Sequence, residues 1–196
     1  MPGGTEAVIF EPKSDNIYPT SWSPDGRTLL FTDDNPTTGM DLWALPVGGA
    51  PRKLLVTRFN EQWAHFSTDG RLVTYASDES GTEEVFVADY PDMANRVVVS
   101  IDGGNWPVWS RNSREVFYRR GNAMIAASIE TAPTLHVGVP HQLFSGPYGG
   151  VDGDRKFDVA PDGRFLMIER VDASISRQLI VVQNWFMELK ARVPSP

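Results

Sequence analysis

The sequence contains no cysteine, which excludes disulfide bonds, a thiolate nucleophile and cysteine-ligated metal sites. Basic residues are also scarce: 18 Lys and Arg stand against 25 Asp and Glu, so the net charge is −7. This sign argues against nucleic acid or an anionic membrane as partner, because both require basic residues that neutralise phosphates. No apolar run approaches the roughly 20 residues that span a bilayer. The first ten residues lack the basic and apolar regions of a signal peptide.

Aromatic residues, glycine and proline are instead spread along all 196 residues. Short apolar runs rich in Val, Leu, Phe, Tyr and Trp alternate with turn residues over the whole length. This distribution is typical of an all-β protein with many short strands. The sequence therefore predicts an all-β fold, and nothing in it predicts a cofactor or a metal.

One unit recurs four times and decides the architecture. A large apolar residue precedes a Ser-Pro-Asp-Gly-like turn and a second apolar strand, as in WSPDGR followed by TLLFT. The first turn residues are Ser23, Ser67, Ser110 and Ala160, which lie 44, 43 and 50 residues apart. A period in the forties with about four strands per unit is the signature of a β-propeller. In the third copy Asn112-Ser113 replaces Asp-Gly, and we expect a looser turn there.

The predicted architecture is a single propeller domain over residues 1–196 with four four-stranded blades. The blades cover residues 19–57, 62–100, 106–146 and 155–183, the last one lacking a fourth strand. Residues 5–11 supply that missing strand, because closing a ring in this way leaves no sheet edge exposed. A short C-terminal helix is predicted over residues 184–193, with Asn184 as its N-cap.

Three ways of completing the ring of blades agree with these strand counts. Four blades form one small ring, or two chains exchange closing strands in a homodimer that completes a larger ring, or the chain is part of a longer propeller. The sequence does not measure ring curvature, so all three remain open.

The repeats carry a resemblance. WSPDGR and STDGR, with SDESGTEEVFVADYP after the second, look like TolB-type relatives of WD-repeat propellers. The stretch from DGGNWPVWSRNSREVFYRR to VVQNWFMELKARVP resembles the C-terminal propeller of bacterial transmembrane serine/threonine kinases and TolB-like proteins. This resemblance implies a sensing or protein-binding scaffold, often extracytoplasmic. No glycine-rich phosphate loop and no HRD or DFG triplet occurs, so kinase activity is not implied.

Five residues are candidates for a binding site at the mouth of the channel. His65 lies on an innermost strand, at the position that Ser21, Val108 and Asp158 occupy in the other units. Trp63 and Trp106 lie near the starts of the inner strands and, with Tyr18, could line one mouth of the ring, where propellers hold ligands. Core packing is the alternative use of the tryptophans. The candidate site therefore comprises Tyr18, Trp63, His65, Trp106 and Asp158.

The sequence favours a non-enzymatic propeller that binds a protein partner or a small ligand. A catalytic set is missing: there is no G-x-S-x-G elbow, and no paired nucleophile and base. Two alternatives stay open, a hydrolase or lyase that works in the channel through His65 and the accessory propeller of a peptidase. Acidic loops at Asp33-Asp34, Asp78-Glu79 and Asp152-Gly153-Asp154 lack EF-hand spacing.

Overall fold

The computed structural model describes residues 8–11, 16–148, 155, 157–169 and 179–182. All regular structure in these residues is β-strand, arranged in four antiparallel sheets that we call blades 1 to 4 in chain order. Within the described residues no helix is long and apolar enough to cross a membrane. The predicted C-terminal helix over residues 184–193 lies outside the described residues.

The strands of each blade follow one another in sequence. Blade 1 contains β1 (Ile17–Trp22), β2 (Thr28–Asn35), β3 (Gly39–Pro46) and β4 (Arg52–Leu55). Blade 2 contains β5 (Glu61–Phe66), β6 (Leu72–Ser77), β7 (Glu84–Asp89) and β8 (Val97–Val98). Blade 3 contains β9 (Asn105–Trp109), β10 (Glu115–Arg120), β11 (Ala123–Glu130), β12 (His136–Val137) and β13 (His141–Ser145). Blade 4 contains β14 (Phe157–Val159), β15 (Phe165–Ile168) and β16 (Leu179–Val182).

Blade 3 has one strand more than the sequence predicts. β11 pairs with β13 through residues 123–126 and with the two-residue strand β12 through Ile129 and Glu130. β11 is eight residues long, so its outer edge has room for both partners. The segment between β11 and β13 therefore contains the short strand β12.

Residues 8–11 do not provide the expected closing strand. They lie outside every strand, and the Phe10 ring packs on Phe31 of β2, with the ring centroids 6.0 Å apart. This part of the N-terminal segment is therefore held against blade 1 by an aromatic contact. Residues 5–7, the rest of the predicted strand, lie outside the described residues.

Three hydrophobic clusters join successive blades. Because side chains on a strand alternate between its two faces, Phe86 and Ala88 of β7 pack towards blade 1, while Val85 and Val87 pack towards blade 3. The third cluster joins blades 3 and 4 through Phe117 and Phe165, whose rings meet edge to face at 5.0 Å. In the part of the chain that the structure describes, no such cluster joins blade 4 to blade 1.

The repeated turn has one hydrogen-bond pattern in blades 1 to 3. In blade 2 the Ser67 hydroxyl donates to Asp69 Oδ1 (2.7 Å) and accepts from the amide of Leu72 (3.0 Å), while Asp69 Oδ1 also accepts from the amide of Arg71 (3.1 Å). These bonds explain why Ser and Asp recur two residues apart, since each satisfies amides that the hairpin leaves unpaired. Equivalent bonds form in blades 1 and 3.

The expected looseness of the third turn is wrong. Asn112 Oδ1 accepts from the Ser110 hydroxyl (2.9 Å) and from the Arg114 amide (3.0 Å), as aspartate does in blades 1 and 2. Ser113 takes a positive φ of 54°, in the region where Gly26 (67°) and Gly70 (71°) lie. An asparagine can therefore replace the aspartate because its side-chain oxygen is the only acceptor that the turn requires.

Candidate functional site

Trp63 and Trp106 have the same unusual backbone geometry on neighbouring inner strands. Both have a positive φ, 61° and 52° respectively, in strands that otherwise pair regularly. Each lies where the register shifts, between Gln62 and His65 in β5 and between Asn105 and Val108 in β9. Such bulges redirect a side chain out of the regular alternation of the strand. The left-handed conformation costs a bulky residue about 1–3 kcal/mol.

The two indoles meet as a result. Their ring centroids lie 6.4 Å apart in an edge-to-face arrangement, and both side chains are half-buried. Trp106 also packs against the cluster between blades 3 and 4. The two positions that the sequence analysis grouped are therefore a contacting pair, which we call the tryptophan pair.

His65 follows Trp63 by two residues and faces blade 4. Burial lowers its pKa below the ordinary value, and the Arg155 guanidinium lowers it further, while the Phe66 carbonyl and the Asp158 carboxylate act in the opposite direction. The imidazole is therefore neutral at pH 7. His65 Nδ1 lies 3.2 Å from the Phe66 carbonyl oxygen. Among the described residues, no hydroxyl or carboxylate forms a hydrogen bond with this ring.

Asp158 and Tyr18 are less closely integrated. Asp158 keeps 71 % of its side-chain surface exposed and has Arg155 3.8 Å away. Tyr18 is 43 % exposed, and no ring contact joins it to the tryptophan pair within the described residues. Of the five candidates, the structure brings Trp63 together with Trp106 and places His65 within the electrostatic influence of Asp158.

Two buried carboxyl groups escaped the sequence analysis. Asp41 of β3 and Glu61 of β5 are fully buried between blades 1 and 2. Thr38 Oγ1 donates to Asp41 Oδ2 (2.6 Å) and Thr57 Oγ1 donates to Glu61 Oε1, while Asp41 Oδ1 and Glu61 Oε2 have no partner among the described residues. Burial raises the pKa of both groups, that of Glu61 to about 7, against the lowering effect of the threonine bonds.

The signal for Glu61 is present in the sequence. It is the first residue of an inner strand, where the equivalent strand of blade 1 begins with Ile17. A carboxyl group at an otherwise apolar, interior strand position is a candidate for a shifted pKa. The raised pKa makes Glu61 a candidate proton-binding group.

Two acidic residues of the loop between β6 and β7 hold that loop to neighbouring segments. Glu83 accepts from Gln62 Nε2 (2.6 Å) and Asn105 Nδ2 (2.5 Å), which links blades 2 and 3. Asp78 accepts from the backbone and side-chain amides of Asn60, at 2.9 and 2.6 Å. Within the described ranges, no three His, Asp or Glu side chains are grouped in a way that could hold a metal ion.

Successive antiparallel sheets of three to five described strands, packed face to face through the three hydrophobic clusters, are the blades of a β-propeller. No protein-family model matches the sequence, and no characterised protein matches it in a sequence search.

Solved structures of propellers do match. TolB from Acinetobacter baumannii superposes with a TM-score of 0.65 and 18 % identity, over 86 % of this chain and 41 % of that one. The propeller domain of Cps50 (Swd1) from Myceliophteria thermophila gives 0.53 and 16 %, over 87 % and 58 %. An oligogalacturonate lyase in complex with manganese gives 0.54 and 15 %, over 73 % and 42 %.

At these identities the likeness shows the fold alone. The chain is a β-propeller similar to TolB and to a WD-repeat propeller, as the resemblance in the sequence implies. It spans 41 to 58 % of the length of the three structures it matches.

Proposed function

We propose that this chain is a non-enzymatic propeller module that binds a protein partner at the channel mouth, with the tryptophan pair as its principal contact. The observation that carries the proposal is the shared left-handed backbone of Trp63 and Trp106. Local strain of this kind persists where the surrounding structure maintains it, and it concentrates at binding sites. Packing alone does not require the same strained geometry on two neighbouring strands.

The chemistry of the pair favours a protein partner. Half-buried tryptophans present a rigid apolar surface that loses little side-chain entropy on binding, and they are enriched among the residues that dominate binding energy. Tyr18, on the inner strand of blade 1, adds an exposed amphipathic ring. The neutral His65, two residues after Trp63, adds no charge that a partner must desolvate.

The chain's acidity does not oppose such a partner. Aromatic contacts at the mouth are not screened by salt, so their contribution to affinity does not depend on the net charge of −7. The remaining acidic residues near the pair, Glu83 and Asp78, are occupied by amide donors. We therefore expect an interface that changes little in affinity between low and physiological ionic strength.

The test compares three immobilised proteins in an extract of the source organism. These are the wild type, a Trp63→Ala/Trp106→Ala variant, and a Trp22→Ala control that removes an exposed tryptophan at the turn end of β1. A protein that the wild type retains is then titrated calorimetrically. The double variant should bind roughly 30-fold more weakly, and the control should match the wild type. Equal affinity of the double variant would place the interface elsewhere.

The same proteins separate the enzymatic alternative. Ester, lactone, peptide and oligosaccharide substrates are screened with wild type and His65→Ala. Turnover that disappears in His65→Ala would replace the binding module with a channel enzyme. We expect no turnover in either protein.

A further inference from the structure

A groove opens between blades 3 and 4 on the turn side, away from the tryptophan pair. It encloses a cavity of about 410 Å³. Its apolar wall contains Phe117 of β10, Leu143 of β13 and Phe165 of β15. This volume is within the roughly 300–1,000 Å³ range of small-molecule sites, which are mainly apolar with a few polar groups.

The repeat explains why a space exists here. The residue before each turn fills the corresponding space between the preceding pair of blades: Phe66 packs between blades 1 and 2, and Trp109 between blades 2 and 3. In blade 4 the same position is Val159, which lines the groove. At this one position a branched three-carbon side chain thus replaces an aromatic ring, while the rings of Phe117 and Phe165 form part of the groove wall.

Polar groups at the rim are mainly hydrogen-bond donors. Arg111 and His141 line the groove, and Arg111 forms no ion pair among the described residues. Asn112 uses its Oδ1 in the turn, so its amide nitrogen remains available as a donor. Glu115 is the one carboxylate among the lining residues. Donors therefore surround the rim, and a ligand that fits must supply acceptors.

We propose that this groove binds a small aromatic carboxylate. The aromatic ring takes the place that Phe66 and Trp109 occupy in the other two interfaces, and the carboxylate lies at the donor-rich rim and pairs with Arg111. None of the residues that line the groove belongs to the tryptophan pair, and Trp106 packs against the cluster that forms part of the groove wall.

Indole-3-acetate and neutral indole serve as probes in calorimetric titrations of the wild type. Indole-3-acetate should bind roughly tenfold more tightly than indole, because indole lacks the carboxylate. Arg111→Gln should remove this difference and leave indole binding unchanged, because Arg111 is exposed and its loss creates no cavity. Equal affinities of both probes for the wild type, or no binding of indole-3-acetate, would overturn the proposal.

Val159→Trp fills the groove with an aromatic ring and should abolish binding of both probes while raising the melting temperature, as cavity-filling substitutions do. Leu166→Trp is the matched control, because it adds the same side chain to β15 on an exposed position outside the groove. That variant should bind like the wild type. Retained binding in a folded Val159→Trp protein would contradict the assignment. If Val159→Trp does not fold, the Arg111→Gln comparison still decides the question.

Discussion

The two ends of the inner strands differ in how strictly they repeat. At the turn end, blades 1 to 3 form the same serine and aspartate (or asparagine) hydrogen bonds, and the residue at positive φ recurs in all four turns. At the mouth end, blade 2 has a buried glutamic acid and blades 2 and 3 have strained tryptophans. The turns stabilise hairpins, which every blade requires. The residues at the other end contribute nothing that a hairpin requires, so they are free to differ, and in our proposal they serve binding.

Glu61→Gln should have the largest effect. It tests whether the buried carboxyl group of blade 2 lowers the stability of the fold, which no group in the turns is expected to do. The folded-state pKa of about 7 exceeds the ordinary glutamate value of 4.5, so the folded protein binds this proton more tightly than the unfolded chain. The wild type should therefore lose stability as pH rises from about 4.5 to 7, on the order of 3 kcal/mol in total.

The Gln variant lacks this loss and should be more stable than the wild type at pH 8 and similar at pH 5. Urea unfolding at pH 5, 6, 7 and 8 measures it. Glu115→Gln is the control, because that side chain is only half-buried. Parallel pH profiles of wild type and Glu61→Gln would show that Glu61 is ionised without penalty.

A pair of glycine substitutions should give the next largest difference. A Cβ on Gly104, in the loop before β9, would lie 2.8 Å from both Ser100 Cβ and Tyr118 Cδ2. Overpacking of this kind costs about 1–3 kcal/mol, so Gly104→Ala should lower stability by about 2 kcal/mol. Gly26→Ala meets no atom within 4 Å but has a φ of +67°, and should cost about 1 kcal/mol. Thermal unfolding compares them, and equal losses would refute the steric explanation.

Serine substitutions in the turns test their equivalence. Ser67→Ala should cost about 1 kcal/mol, because the buried Leu72 amide loses its side-chain acceptor. Ser23→Ala and Ser110→Ala remove the same bond and should cost the same or less. The hairpin of blade 4 is one residue shorter, with Val159 opposite Phe165. A serine at position 160 would therefore have no equivalent amide to accept from, and Ala160→Ser should not raise stability. Urea unfolding tests all four, and a gain from Ala160→Ser would disprove the distinction.

The sequence predicts the turns well because their chemistry is local. Asp25 and Gly26 act within four residues of their partners, so the repeat reveals both the fold and the strand order. The mouth depends on side chains from different blades. Trp63 and Trp106 could be grouped by position, but their bulges and mutual contact result from packing between blades 2 and 3. Glu61 can be singled out in the sequence as a carboxyl group at the start of an inner strand, but only the fold shows that its side chain is fully buried.

The tightest test of the turn end concerns Ser113, where a non-glycine residue holds a positive φ of 54°. Its hydroxyl accepts from the Thr68 amide at 2.7 Å, which joins the turns of blades 2 and 3. Ser113→Gly relieves the strained backbone but loses this bond, so the two effects should cancel to within about 0.5 kcal/mol. Ser113→Ala keeps the strain and loses the bond, and should cost about 1 kcal/mol. If both variants cost the same in urea unfolding, the backbone strain contributes nothing, and the turn tolerates Ser113 because of its hydrogen bond alone.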